Sequence, residues 1–200
     1  DVLLMGGEAL GLNNSTDVGG SVYLSGGDAS AAPGGDVSIV SGTSNLTSSG
    51  EVHVGSACSG PDGSSGAVSV FSGTSSSGAS GGISIATGSS SDGAGGDVEV
   101  SVGDGAGSAG GSVRIRAGMG EDNGGNLVFA SGGASDGGSS GDVTVVSARS
   151  DDRSGGLTLF TGPTERGPSG AVSLGSGESS DSSGAVTIGS GLSTRGDSGE

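Results

Sequence analysis

The residues with the most evident chemistry are aspartates that recur in Gly/Ser-rich stretches. Six of them are candidates for a divalent-cation site: Asp62, Asp92, Asp122, Asp136, Asp152 and Asp181. Carboxylates on neighbouring turns of a repeated structure, about 5 Å apart, could share Ca²⁺ with backbone carbonyls. Their spacing drifts, however, and an Asp in a turn commonly bonds its own backbone. The sequence therefore favours solvated turn aspartates, with calcium as an alternative.

Catalytic patterns are present but lack their structural setting. His53 is the only histidine, and the sequence gives it no partner for general acid–base work. Gly137–Gly141 matches a nucleophile-elbow pattern, yet no helix is predicted after it. Gly105–Gly110 matches a dinucleotide fingerprint, but Ser112–Arg116 reads as a strand where that fold needs a helix. The sequence therefore predicts no enzyme and no organic cofactor.

Three N-glycosylation motifs begin at Asn13, Asn14 and Asn45. Such motifs suit exposed loops of an exported protein, and Asn45 is the best placed because it lies in a predicted turn region. Matches of this kind arise readily in a chain so rich in Ser and Thr. Glycosylation is therefore a prediction from the motif alone.

Composition limits both the core and the partners. The 200 residues include 49 Gly but only three Phe, one Tyr and no Trp, so a core of large side chains is excluded. Twenty-two acidic residues against six basic ones, all Arg, give a net charge of −16, which disfavours nucleic acid as a partner. Cys58 is the single cysteine, so no internal disulfide can form. No apolar run is long enough to predict a membrane span.

A period of about fifteen residues organises the chain. An apolar-x-apolar triplet recurs twelve times at spacings of 14 to 16 residues, and a glycine always stands two residues before it. These structural glycines are Gly20, Gly35, Gly50, Gly66, Gly81, Gly96, Gly111, Gly125, Gly141, Gly155, Gly170 and Gly184. Gly or Ala follows the first apolar residue by five positions, and Ser or Thr stands just before it in nine repeats.

Alternating apolar residues between glycines predict a short strand with one buried face. One such strand in every fifteen residues predicts an all-β fold, a single-domain β-solenoid (β-helix) of about thirteen coils with a flattened cross-section. This domain would span residues 1–200, with an irregular insertion at about 7–19. Because both ends fall within a repeat, we expect a segment of a longer array.

The runs Gly34–Gly42 and Gly81–Gly88 resemble the Gly/Ser/Thr-rich β-solenoid repeats of extracellular shafts, of the adhesin, fibre or surface-appendage type. The resemblance is to an architecture. It implies a non-catalytic structural rod, filament or stalk segment, located outside the cell or at the cell surface. Its expected partners are further copies, joined end to end or laterally, or other matrix or appendage proteins.

Ice binding is the main alternative function, because a flat solenoid of fifteen-residue coils can present a regular ladder of Thr. Here the outward positions include Glu99 and Arg114, which interrupt such a ladder, and only Thr144 to Thr187 is regular. The sequence therefore favours a structural segment over ice binding, with a calcium-stiffened adhesin repeat as the third possibility.

Overall fold

The computed structural model describes residues 2–11, 17–107, 109–135, 137–194, 196–197 and 199. These residues form no helix and no β-strand, and the chain is a coil with little regular structure. The predicted β-solenoid, or β-helix, is therefore wrong. The physical reason lies in the repeat, which offers two apolar side chains and no large partner against which they could be buried.

Solvent exposure shows the missing core directly. The chain exposes 19704 Å². A folded monomer of 18.2 kDa would expose about 8,100 Å², and the same chain fully extended would expose about 26,000 Å². None of the described residues is buried, and only five are largely shielded from solvent: Gly6, Gly26, Ser41, Ala117 and Thr161. The exposed area is closer to that of an unfolded chain than to that of a globular domain.

Backbone hydrogen bonding is correspondingly sparse. Seven backbone-to-backbone hydrogen bonds join residues within the described ranges. A globular domain of this length would hold about 200 internal hydrogen bonds, most of them between backbone groups. The peptide groups of the predicted strands therefore find no partner strand in the described part of the chain.

The period of the sequence nevertheless survives as a period of local structure. We call the stretch from a structural glycine to the small residue seven positions later an apolar segment, as from Gly35 to Gly42. The stretch from that small residue to the next structural glycine is a return loop, as from Gly42 to Gly50. All apolar segments have the same length, so the variation in the period comes from the return loops.

Exposure of the two apolar residues follows the same repeat. The first apolar residue of a segment is between 50% exposed, at Val37, and 60% exposed, at Val172. The second is between 62% exposed, at Ile115, and 84% exposed, at Ile188. The two ranges do not overlap across the twelve repeats. The residue closer to the structural glycine is thus consistently the better shielded of the two.

Contacts in space divide the chain into two units, Asp1–Glu99 and Val100–Glu200. The division falls inside the apolar segment that begins at Gly96, so it does not coincide with a repeat boundary. Each unit contains the same alternation of apolar segments and return loops. Across the described ranges, no helix has the length and apolar character needed to cross a bilayer.

Candidate functional site

Several structural glycines close a return loop with a backbone hydrogen bond. In four repeats the N–H of the structural glycine donates to the carbonyl oxygen of the small residue at the start of the loop. These bonds are Gly35 to Gly27 at 2.8 Å, Gly50 to Gly42 at 2.9 Å, Gly125 to Gly118 at 2.9 Å and Gly141 to Gly132 at 3.0 Å. Gly20 donates in the same way to Gly7 at 2.7 Å, around the longer insertion. The glycine column therefore pins the two ends of a loop together.

Glycine is required where this closure is tightest. A Cβ added to Gly35 would lie 2.9 Å from the backbone nitrogen of Gly27, and one added to Gly20 would lie 2.6 Å from that of Gly7. A Cβ on Gly26 would fall on the carbonyl oxygen of Gly35. Backbone atoms cannot give way as the end of a side chain can. The first return loops thus depend on glycine on both sides of the closure.

In most later repeats a side chain lies beside the structural glycine at the end of the return loop. The residue before the small column is then usually Ser or Thr, and its side chain faces the next structural glycine. A Cβ placed on that glycine would lie 3.5 Å from Ser41 Cβ at Gly50 and 3.5 Å from Thr87 Cγ2 at Gly96. These are ordinary van der Waals distances. The Ser/Thr column predicted from the sequence is therefore a contact of the loop neck.

Inside the return loop, a hydroxyl two residues after the small column organises a turn. Such contacts involve Ser44, Ser75, Ser90, Thr164, Ser179 and Ser193. Ser90 Oγ accepts from the N–H of Gly93 at 2.9 Å, and Ser75 Oγ accepts from that of Gly78 at 3.0 Å. Local bonds of this kind are a usual way for Ser and Thr to stabilise turns. The sequence analysis missed this column, although its fixed offset was a signal that could have revealed it.

Thr164 uses its hydroxyl in the opposite sense. Its Oγ1 donates to the carbonyl oxygen of Gly167 at 2.7 Å, and Gly167 has a φ of 89°. Residues other than glycine rarely adopt that backbone conformation. The loop that begins at Gly162 therefore combines a hydroxyl-bonded turn with a left-handed glycine.

Two pairs of charged side chains, each two residues apart in the sequence, lie in the described part of the chain. His53 Nε2 lies 2.9 Å from Glu51 Oε2, and both side chains are more than four-fifths exposed. Arg149 Nη2 lies 3.9 Å from Asp151 Oδ1, also at full exposure. Exposed pairs of this kind contribute little to stability. His53 thus has an acidic neighbour, but no hydroxyl or thiol nucleophile of the described residues is bonded to it.

Glu99, Arg114 and Arg116 form no ion pair with one another, because no strands in the described residues bring their segments together. Instead, Val113, Arg114, Ile115 and Arg116 line an open hollow along a single apolar segment. All four residues are exposed. The hollow has no opposing wall that could exclude water from a substrate.

The aspartates proposed as calcium ligands lie on separate return loops. Asp62, Asp92, Asp122, Asp152 and Asp181 are all exposed, and Asp136 lies outside the described residues. Within the described ranges, no three acidic, histidine or cysteine side chains come together in a way that could hold a metal ion. The structure therefore does not bring these candidate ligands to one place.

The two enzyme-like motifs fall in return loops. In the Gly137–Gly141 run, Gly138 N–H donates to Ser135 O at 3.2 Å and Gly141 N–H closes the loop onto Gly132. In the Gly105–Gly110 run, Gly107 has a φ of 95°. No helix begins in the described residues after either run. Neither run has the helix that its motif requires for chemistry.

Of the glycosylation candidates, Asn13 and Asn14 lie outside the described residues. Asn45 is exposed in the return loop between Gly42 and Gly50. The hydroxyls of Ser44 and Thr47, which flank Asn45 and Leu46, lie 3.0 Å apart, and Thr47 N–H donates to Ser44 Oγ at 2.9 Å. The motif at Asn45 thus sits at the tip of a hydroxyl-bonded turn.

What recurs along the chain is one exposed unit, an apolar segment followed by a return loop. Its chemistry is that of amide, hydroxyl and aliphatic groups at a regular interval, with a predominantly acidic surface. Comparison with known proteins adds no assignment, since no family model, no curated protein and no solved structure matches this chain.

Proposed function

We propose that this chain is a non-catalytic structural segment of an extracellular or cell-surface assembly. It acts as a repeated connector whose units present the same surface many times. The proposal concerns a coil with locally closed loops and does not depend on a β-solenoid.

The observation that supports this function most strongly is the exposure of the whole repeat. The first apolar residue is at least 50% exposed in all twelve segments, and the second is more exposed still. An enzyme needs groups held in a water-excluding cleft, whereas a connector works through surface and length. A unit copied twelve times with exposed features suits the second role.

The acidic surface fits the same role. A net charge of −16 keeps an exposed repetitive chain soluble and separates its units by mutual repulsion. Only two ion pairs join described residues, and in both the partners are two positions apart in the sequence. Most carboxylates of the described residues therefore stay available to solvent and counter-ions. Such a surface supports a hydrated spacer between other components.

Ice binding receives no support from a specific observation. Its ladder would have to include Thr144, Thr158 and Thr187 on one flat surface, and the described residues form no sheet to provide that surface. The function also has a direct assay. We expect no thermal hysteresis at micromolar protein, and clear hysteresis would replace the structural proposal with the ice-binding one.

The experiment that tests the structural proposal most directly is to determine where the protein is located. Antibodies raised against the whole chain should label intact, unpermeabilised source cells or their external matrix. The labelling should be denser than that obtained, on the same cells, with antibodies against a periplasmic or cytoplasmic marker protein. Labelling that appears only after permeabilisation would contradict the proposal. Mass spectrometry of the labelled material would report in the same experiment whether Asn45 carries a glycan.

A further inference from the structure

We propose that the apolar segments pair with the same segments of a second copy of this chain, through backbone hydrogen bonds and apolar contact. The partner is therefore chemically identical to the chain itself. This inference names a partner for the proposed structural segment. It rests on the proposed function for the biological role of the association, and not for the association itself.

The backbone of the apolar segments is ready for such pairing. Within the described ranges, the backbone bonds lie inside the loops or between the end residues of successive apolar segments, and none joins the interior of one apolar segment to the interior of another. The N–H and C=O groups of Asp36 to Ser41, for example, have no backbone partner. Unpaired backbone beside alternating apolar residues is the template that β-augmentation uses.

The exposed apolar area is sufficient for a stable interface. Twenty-four apolar side chains occupy the two apolar positions of the twelve segments, and each is half or more exposed. A fully exposed aliphatic side chain offers about 60 to 120 Å² of apolar surface. The set thus offers on the order of 1,000 Å² per chain, compared with about 800 Å² per partner in a standard interface.

The period selects a second copy over an unrelated partner. Every apolar segment has the same length, and segments recur at intervals of 14 to 16 residues. Another copy carries the same sequence of intervals, so its segments match one after another once a first pair forms. Each later pair then forms at a high effective concentration. A partner without this period would match one segment at a time.

The negative charge of the chain opposes association of two copies, so association should depend on ionic strength. Two copies at −16 each repel one another, and acidic residues such as Asp97 and Glu99 lie within the segments themselves. Salt screens this repulsion, shortening the Debye length from about 30 Å at 0.01 M to about 3 Å at 1 M. Association is therefore expected to strengthen as ionic strength rises.

The test is sedimentation of the whole chain over a range of concentrations at low and high salt, under reducing conditions so that Cys58 cannot cross-link copies. We expect monomer at low salt and self-association at high salt, with an infrared strand signal that grows in proportion to the associated fraction. A chain that stays monomeric at high salt overturns the proposal. Association without a strand signal also overturns it.

Matched variants locate the interface. The test variant carries Ile39→Ser, Ile85→Ser and Ile188→Ser, all in apolar segments. Its control carries Leu46→Ser, Met119→Ser and Leu192→Ser, at leucine and methionine side chains that lie outside the apolar segments and belong to residues between 94% and 100% exposed.

We expect the test variant to weaken association at least ten-fold and the control to leave it unchanged. Equal weakening by both would show that general hydrophobicity drives association and would overturn the proposal. Surface labelling of cells is measured separately, so location and self-association can fail independently.

Discussion

Closure of the first return loops by glycine can be tested with a single methyl group. Gly26→Ala places a Cβ on the carbonyl oxygen of Gly35, so the loop neck must open. Gly27→Ala is the matched control, because a Cβ there meets nothing within 4 Å. Neither glycine is among the described residues with positive φ, so both substitutions are compatible with their own backbone conformation.

The bond at stake is that of Gly35 N–H to Gly27 O, 2.8 Å long. A hydrogen bond of this kind contributes about 0.5 to 1.5 kcal/mol net. Its loss in Gly26→Ala should therefore lower the ratio of closed to open loop by about two- to thirteen-fold. Gly27→Ala should leave the ratio unchanged or raise it. Alanine reduces the conformational entropy of the open loop, which favours the closed loop by about 0.4 to 1 kcal/mol.

Nuclear magnetic resonance can monitor the Gly35 amide. The two quantities to measure are its hydrogen-exchange rate and the temperature dependence of its chemical shift. We expect Gly26→Ala to move both quantities towards those of a free peptide amide and Gly27→Ala to preserve them. Similar changes in the two variants would refute the reasoning, because they would show that the closure does not depend on the space beside Gly26. Gly50, which closes its own loop, serves as the internal reference.

Two further predictions concern the loops and their exposure. Ser90→Ala should free the Gly93 amide, because among the described residues that amide donates to Ser90 Oγ at 2.9 Å, whereas Ser91→Ala should leave it bonded. The readout is the temperature coefficient of the Gly93 amide, and an unchanged coefficient in Ser90→Ala would contradict the turn. Cys58 is a free and exposed cysteine, so its thiol should react with an aromatic disulfide reagent at the same rate in buffer and in concentrated urea. A rate at least ten-fold slower in buffer would contradict its exposure.

The period was predictable from the sequence, and so were the positions at which it acts. Gly35, Gly50 and Gly141 were identified as structural, and their N–H groups do close loops. The hydroxyls of Ser75 and Ser90 were not identified, because Ser is so frequent here that a fixed offset is hard to see. A local bond needs only neighbouring residues, which is why this level of structure follows the sequence closely.

The strands and the core could not be predicted correctly, because both depend on distant partners. Val37 and Ile39 alternate as strand residues do, and the alternation was interpreted as one buried face. Burial requires a second layer, and a repeat of Gly, Ser and two aliphatic residues does not supply one. Both side chains are consequently half or more exposed.

The candidate calcium ligands depend on distant partners in the same way. Ligands such as Asp92 and Asp122 would be brought together only by stacking of successive repeats. In the described ranges the repeats do not stack into a sheet, so each carboxylate stays on its own loop.

The central claim is that the monomeric chain has no cooperative core, and differential scanning calorimetry at low salt tests it most directly. A folded domain absorbs about 0.7 kcal/mol per residue in one transition. This chain is expected to show a smooth heat capacity with no such peak between the freezing and boiling points of the buffer. A single sharp transition of that size in monomeric protein would contradict the account and would show that the apolar segments are buried after all.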